Sequence, residues 1–372
     1  MDAFKPHLSG LAAYPYRKVE AAIKLDQNES PWDLPEDLKN LALERMRHAP
    51  WNRYPDMHAE GVRASVARFM NWPAEGIVVA PGSNFLILAL AQAANRVLDT
   101  SPSFAFYEGA ARVTGTLYTS MPLTPGFGLP VDGLVREMDQ GAPGVVFVAT
   151  PHAPTGAVFP VPDVARVAEK ARERGWILAI DEAYCQFSGT DLRPLARGNP
   201  SVVILRTFSK AFGLGGVRAG FLLAVPDVAV KLQAMLPPFD VPVHTAAVLE
   251  TVLESPGRAA EVGALLVAER ERVLAGLGRH PTWRPHPSRA NFFLVRTPDA
   301  EVAWRSLLSR GILVRRQDHL PGLTGCLRVS VGTPAQNDAF LKAAFEAVAD
   351  PPAGAGLTDA ARNRPAPDPT PR

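Results

Sequence analysis

The stretch LRTFSKAFGLGGVRAGF, residues 205–221, joins a core strand to a polar, glycine-rich turn. It grows out of the apolar run SVVILRT (201–207), which reads as a buried strand, and enters Ser209, Lys210 and a turn carrying Gly213, Gly215 and Gly216. That order places Lys210 at the C-terminal end of a core strand, where α/β proteins meet their ligands. A lysine in a partly apolar pocket loses its proton near neutral pH and condenses with an aldehyde. Thr207 and Ser209 offer hydroxyls just ahead of it, and Arg218 a guanidinium just beyond, across glycines that let backbone approach a ligand closely. Hydroxyls, a guanidinium and free amides beside an amine describe the chemistry of pyridoxal phosphate. A surface lysine after a strand is the ordinary alternative.

Outward from this strand, apolar runs and helical patterns alternate. GIVVA (76–80) leads into a helix opened by Gly82, Ser83 and Asn84, and GVVFVAT (144–150) precedes a helix over 161–174. WILAIDE (176–182) and GFLLAV (220–225) continue the pattern. Continuous apolar strands separated by helices predict an α/β fold with a mostly parallel sheet covered on both faces. Ahead of it, residues 1–35, with LDQNESP (25–31), read as an arm or loop. A helix over 35–48, a turn at RYPD (53–56) and a helix over 60–72 follow. Beyond residue 235, MLPPFDVPVH (235–244) concentrates prolines before two amphipathic helices, the second spanning 257–277. NFFLVRT (291–297), a helix over 299–310, ILVRR (312–316), CLRVSV (326–331) and a helix over 335–349 predict a smaller α/β domain. The Pro/Ala-rich tail has no periodicity and reads as disordered.

Composition narrows the function. The net charge of +2, from 39 basic and 37 acidic residues well mixed along 372 positions, leaves no basic stripe for nucleic acid. Cys185 and Cys326 form no CxxC, and the eight histidines are scattered, so no metal site is expected. Residues 1–20 lack a signal-peptide core, and FLILALAQAA (85–94) is too short to span a membrane. A soluble cytoplasmic protein is expected. Gly213–Gly216 do not match GxGxxG, and no GKS/T loop is present.

Set beside TPHAPTG (150–156) and DEAY (181–184), the lysine region resembles the class I/II, fold-type I pyridoxal-phosphate aminotransferases. Within them it is most similar to the branch acting on histidinol phosphate. The resemblance runs from about residue 8 to 349 and rests on several motifs in order. It implies a seven-stranded, mostly parallel large domain (48–245) binding pyridoxal phosphate and a small domain (246–350). An N-terminal arm (1–47) contributes to the small domain, and the disordered tail covers 351–372. It further implies that Lys210 binds the cofactor aldehyde, that Asp181 pairs with the pyridine nitrogen and keeps it protonated, and that Tyr184 donates to the ring oxygen. Gly82, Ser83 and Asn84, at a helix N-terminus, join Thr207, Ser209 and Arg218 in holding the phosphate. Phe104 of PSF (102–104) stacks on the ring, and Tyr54 of RYPD reaches the partner subunit's phosphate in a homodimer. Arg328 grips the α-carboxylate; Arg315, Tyr16 and Asn28 complete the substrate set. Small-molecule amino acid and 2-oxo acid substrates are implied, with histidinol phosphate and 2-oxoglutarate first.

Taken singly, these residues have ordinary alternatives: Asp181 as a helix cap, Phe104 and Tyr184 as core, Arg328 and Arg315 as solvent-facing strand residues. Competing activities are transamination of aromatic or other amino acids and decarboxylation of a phosphorylated amino acid. A cofactor-binding DNA regulator lacks a helix-turn-helix here. One position departs from the family pattern. Where NNPTG is usual this chain reads HAPTG, so the Asn expected to donate to the ring oxygen is Ala153. Tyr184 is then expected to carry that hydrogen bond largely alone.

Overall fold

The computed structural model describes residues 18–347 and, ahead of them, residues 3, 5–8 and 11. Tyr16 and the tail from 351 lie outside the described residues. Among the described residues twelve strands form two sheets: β1 Ile23–Leu25, β2 Ile77–Ala80, β3 Arg96–Ser101, β4 Leu117–Pro122, β5 Val145–Ala149, β6 Ile177–Asp181, β7 Val202–Thr207, β8 Gly220–Leu223, β9 Arg284–Pro285, β10 Phe292–Arg296, β11 Ile312–Arg316 and β12 Cys326–Ser330. The larger sheet has the order β2-β8-β7-β6-β5-β3-β4. Only β8 runs against its neighbours, antiparallel to both β2 and β7. The expectation of a seven-stranded, mostly parallel sheet therefore holds.

Alternation along its strands divides two apolar cores. Ile77 and Val79, with Val146 and Val148, pack on one face; Val78 and Ala80, with Val145 and Phe147, pack on the other. Side chains of a strand alternate, so a strand buried on both faces must be apolar throughout, and β2, β5 and most of β7 are. The strands β3 and β4 did not stand out in the sequence for the converse reason. RVLDTS carries Arg96, Asp99, Thr100 and Ser101, and LYTSMP lies at the sheet edge with its side chains only half-buried or exposed.

The smaller sheet has the order β1-β11-β12-β10-β9. Its edge strand β1, expected to be arm or loop, pairs in parallel with β11, Leu25 opposite Val314. Three residues are too few to show a period, and only the partner strand makes them a strand. The long helix Gly257–Leu277 packs against this sheet through Leu266, Val273 and Leu277.

A buried ion pair ties β6 to β7. Arg206 Nη2 lies 2.7 Å from Glu182 Oε2, with side chains 8% and 1% exposed, and Glu182 Oε1 accepts the Leu192 amide at 3.1 Å. Removing one partner strands the other charge, so Arg206→Met is expected to cost about 3–5 kcal/mol. The double change Arg206→Met/Glu182→Gln should restore much of the loss. Urea denaturation midpoints measure both, and a single variant within about 1 kcal/mol of the parent would remove this account.

Candidate active site

The C-terminal ends of the parallel strands open on one cleft of about 860 Å³, the size of a small-molecule site. Lys210 follows β7, Asp181 ends β6, Ala153 follows β5, and Phe104 follows β3; all line it. Ser83 and Asn84, entering the helix Ser83–Ala93 after β2, line it as well, with Tyr184, Thr207, Ser209 and Arg218. From the smaller sheet come Arg315 and Arg328, which face each other across β11 and β12. Asn28 reaches it from the segment after β1. The structure thus gathers every expected site residue into one cavity except three. Gly82 is buried and not part of the lining, Tyr54 stands 82% exposed and outside its own chain's cavity, stacked on Phe239 at 4.8 Å, and Tyr16 is not described.

The amine of Lys210 donates to the Gln27 carbonyl at 2.9 Å. Burial lowers its pKa to about 8, aided by the positive charges of Arg328 and Arg218 and opposed by Glu29. It is therefore an amine that is substantially neutral in mildly alkaline water. Asp181 is 6% exposed and accepts from Tyr107 Oη at 2.7 Å and from the Ala183 amide at 3.0 Å. Burial pushes its carboxyl above the usual range despite these two donors. Among the described residues no basic side chain forms an ion pair with it. A buried carboxylate supplied only with neutral donors fits a cationic partner from a ligand, such as a protonated ring nitrogen.

At the other end, Arg218 sits at φ 56° and donates to Ser209 Oγ at 3.3 Å and to the Gly215 carbonyl at 3.0 Å. A side chain at Gly82, φ 91°, would place its Cβ 2.7 Å from Arg218 Nη2. At Gly220 a Cβ would lie 2.5 Å from the Ser83 amide nitrogen, so β8 passes the helix N-terminus only as glycine. The helix has no side-chain cap, which leaves amides and dipole for an anion beside a guanidinium and hydroxyls. The residues present therefore fit pyridoxal phosphate at both its ends.

Several cavity residues were not singled out from sequence. Tyr107, fully buried, holds Asp181; it lies three residues beyond Phe104, and that spacing was the one available signal. Lys24, Gln317 and His319 line the side where Arg315 stands. The carbonyls of Asp26 and Gln27 meet Arg328 and Lys210, contacts no residue type announces. His152 is wholly buried, bonded to Thr155 at 2.8 Å and Thr100 at 3.3 Å; burial lowers its pKa to about 3, so it is a neutral brace under the cavity. Among the described residues no cluster of metal-ligating side chains occurs, and no helix is long and apolar enough to cross a membrane.

Comparison with known proteins agrees with this geometry. The sequence pattern of aminotransferase class I and II matches residues 20–343. The chain is 48% identical to a histidinol-phosphate aminotransferase of Deinococcus radiodurans, over 90% of this chain and 93% of that one. It is 39% identical to one from Thermococcus kodakarensis, over 89% and 95%. Its fold superposes with a TM-score of 0.83, at 23% identity, on the histidinol-phosphate aminotransferase of Sinorhizobium meliloti in complex with pyridoxal-5'-phosphate, covering 94% of this chain and 98% of that one. The chain belongs to the class I and II aminotransferase family.

Proposed function

We propose that this chain is a pyridoxal-phosphate-dependent aminotransferase that exchanges the amino group of histidinol phosphate with 2-oxoglutarate, yielding imidazole-acetol phosphate and glutamate. The observation that carries this reading is one cavity holding a lysine of lowered pKa beside a buried carboxylate that has only neutral donors, with two facing guanidiniums, Arg315 and Arg328, on its other wall. The relatives bearing that activity at 39–48% identity support it.

Pyridoxal phosphate, when bound, supplies an electron sink for the pair left on a substrate carbon that loses its proton. The chain's residues do the rest. Lys210 Nζ takes the proton from the amine-bearing carbon of the donor as general base and, in the return half-reaction, delivers one to the corresponding carbon of the 2-oxo acid as general acid. Asp181 would hold a negative charge against a protonated ring nitrogen, and Tyr107 holds that carboxylate in place. Ser83, Asn84, Thr207, Ser209 and Arg218 hold the phosphate, with Gly82 giving the approach. Phe104 would stack on the ring, Ala153 lines the same cavity, and Tyr184 would donate to the ring oxygen. Arg328 binds the carboxylate of glutamate, while Arg315, with Tyr16, meets the substrate phosphate.

The reading includes a homodimer. Tyr54, exposed beside Trp51 (76%) and Met57 (49%), would then contribute to the partner's site. It also keeps domain limits at 47/48 and 245/246, which the two sheets support by drawing their strands from 77–223 on one side and from 23–25 and 284–330 on the other. A substrate panel with 2-oxoglutarate as acceptor tests the substrate: kcat/KM for histidinol phosphate should exceed that for Phe, Tyr and Leu by about 100-fold or more. Arg315→Ala should lower the first value about 10–100-fold, the worth of a charged hydrogen bond, and leave the others near the parent. Equal rates across the panel would reject histidinol phosphate while leaving the aminotransferase reading intact.

A further inference from the structure

We infer that Asn28, clamped by Ser330, is a positioning residue that sets the direction of the Tyr184 hydroxyl proton and so makes Tyr184 a donor into the cavity. The inference rests on the pyridoxal phosphate reading above. Asn28 is 1% exposed and sits at φ 54°, a left-handed conformation that Asn and Asp enter more readily than other side chains. Four contacts hold it. Its amide nitrogen lies 2.8 Å from Ser330 Oγ, and its carbonyl accepts from Asn291 Nδ2 at 3.0 Å. Its side-chain oxygen lies 3.1 Å from the same Ser330 Oγ, and its side-chain nitrogen 3.0 Å from Tyr184 Oη.

The proton directions follow in sequence. A backbone N–H can only donate, so Ser330 Oγ accepts it and turns its own proton toward Asn28 Oδ1. The side-chain oxygen is thereby committed as an acceptor, which fixes the orientation of the amide and turns its NH2 toward Tyr184. Tyr184 Oη must accept from that NH2, and its own proton is directed away from Asn28, on the side where Tyr184 lines the cavity. Ala153, on the same wall, offers no polar side chain to share the task. The chain of donors crosses from the arm to β12 and back to the segment after β6, so the small sheet governs the hydrogen-bonding sense of a group in the large one.

The visible absorbance of bound pyridoxal phosphate, titrated against pH in the holoprotein, reads this out. Losing a donor makes the ring oxygen more basic, so the chromophore retains its proton to higher pH. Tyr184→Phe should raise the midpoint by about one pH unit, the worth of a hydrogen bond to a charged oxygen. Asn28→Asp keeps shape and φ but presents only acceptors to Tyr184, so the phenol must donate backwards; it should raise the midpoint comparably. The double variant should move no further than Tyr184→Phe alone, whereas a plain charge effect of the new carboxylate would persist once the phenol hydroxyl is gone. Ser330→Ala, which adds no charge, should free the amide to turn and raise the midpoint by a smaller amount. The inference is overturned if Asn28→Asp and Ser330→Ala titrate like the parent while Tyr184→Phe shifts, or if the shifts add in the double variant. A parent protein that takes up no pyridoxal phosphate would instead overturn the cofactor reading itself.

Discussion

Replacing Lys210 with Ala is expected to lower kcat by at least about 10⁴-fold, because one change removes both the group that binds the cofactor aldehyde and the general base at the α-carbon. The surrounding site should survive. Lys210 donates its side-chain hydrogen bond to the Gln27 carbonyl, and the phosphate and ring-nitrogen contacts come from other elements. Cofactor is therefore expected to bind the variant without the visible band of the parent, by equilibrium dialysis and absorbance. The lowered pKa adds a second readout. Capture of an aldehyde needs the neutral amine, so the rate at which the parent apoprotein takes up pyridoxal phosphate should rise with pH and level off above about 8, where Lys210 has lost its proton. A Lys210→Ala protein turning over within tenfold of the parent would end the assignment of this cavity as the catalytic site.

The second large effect concerns charge alone. Asp181→Asn keeps the size of the side chain and an acceptor for Tyr107, which bonds Asp181 at 2.7 Å, yet removes the negative charge from a site 6% exposed. In so enclosed a place a charge is poorly screened, and its loss is expected to lower kcat by about 10³-fold. Stability should change in the opposite sense. Burial raises the folded-state pKa of Asp181, so in the apoprotein the ionised carboxylate opposes folding at neutral pH, and the neutral amide should be tolerated or mildly stabilising. The two outcomes separate chemistry from structure: an Asp181→Asn variant both unstable and inactive would mark Asp181 as structural, whereas a stable, inactive one is expected. Steady-state rates beside thermal unfolding of the apoprotein decide between them.

Much of the large sheet was legible because its inner strands are buried on both faces and must be largely apolar. GIVVA, GVVFVAT, WILAIDE and SVVILRT announce themselves, and the residue at the end of each is carried to the ligand edge by the fold. That is why Lys210 could be named from chemistry and position, whereas Asp181, also at a strand end, took its role from the family resemblance. The strands β3 and β4 were not legible, since their polar residues find partners only across the strand pair, as in the bond from Tyr118 to the buried Asp99 at 2.9 Å. Nor was β1, which exists only through its pairing with β11. The phosphate cradle was half legible: Ser83, Asn84 and Arg218 could be read, but the need for Gly220 beside the Ser83 amide comes from the antiparallel placement of β8 between β2 and β7.

By itself the sequence determined the alternation of strands and helices, the strand ends, and the chemical types standing there: an amine, a carboxylate, hydroxyls and guanidiniums. Those are consequences of local periodicity and composition, which burial imposes residue by residue. Only the tertiary structure decided which of them meet. The cross-strand pairing of Arg315 with Arg328, the Tyr107 clamp on Asp181, and the route from Ser330 through Asn28 to Tyr184 depend on register and on chain crossings between the two sheets. A hydrogen bond between residues 302 positions apart leaves no periodic trace in either neighbourhood, because its energy is realised only once the chain has closed.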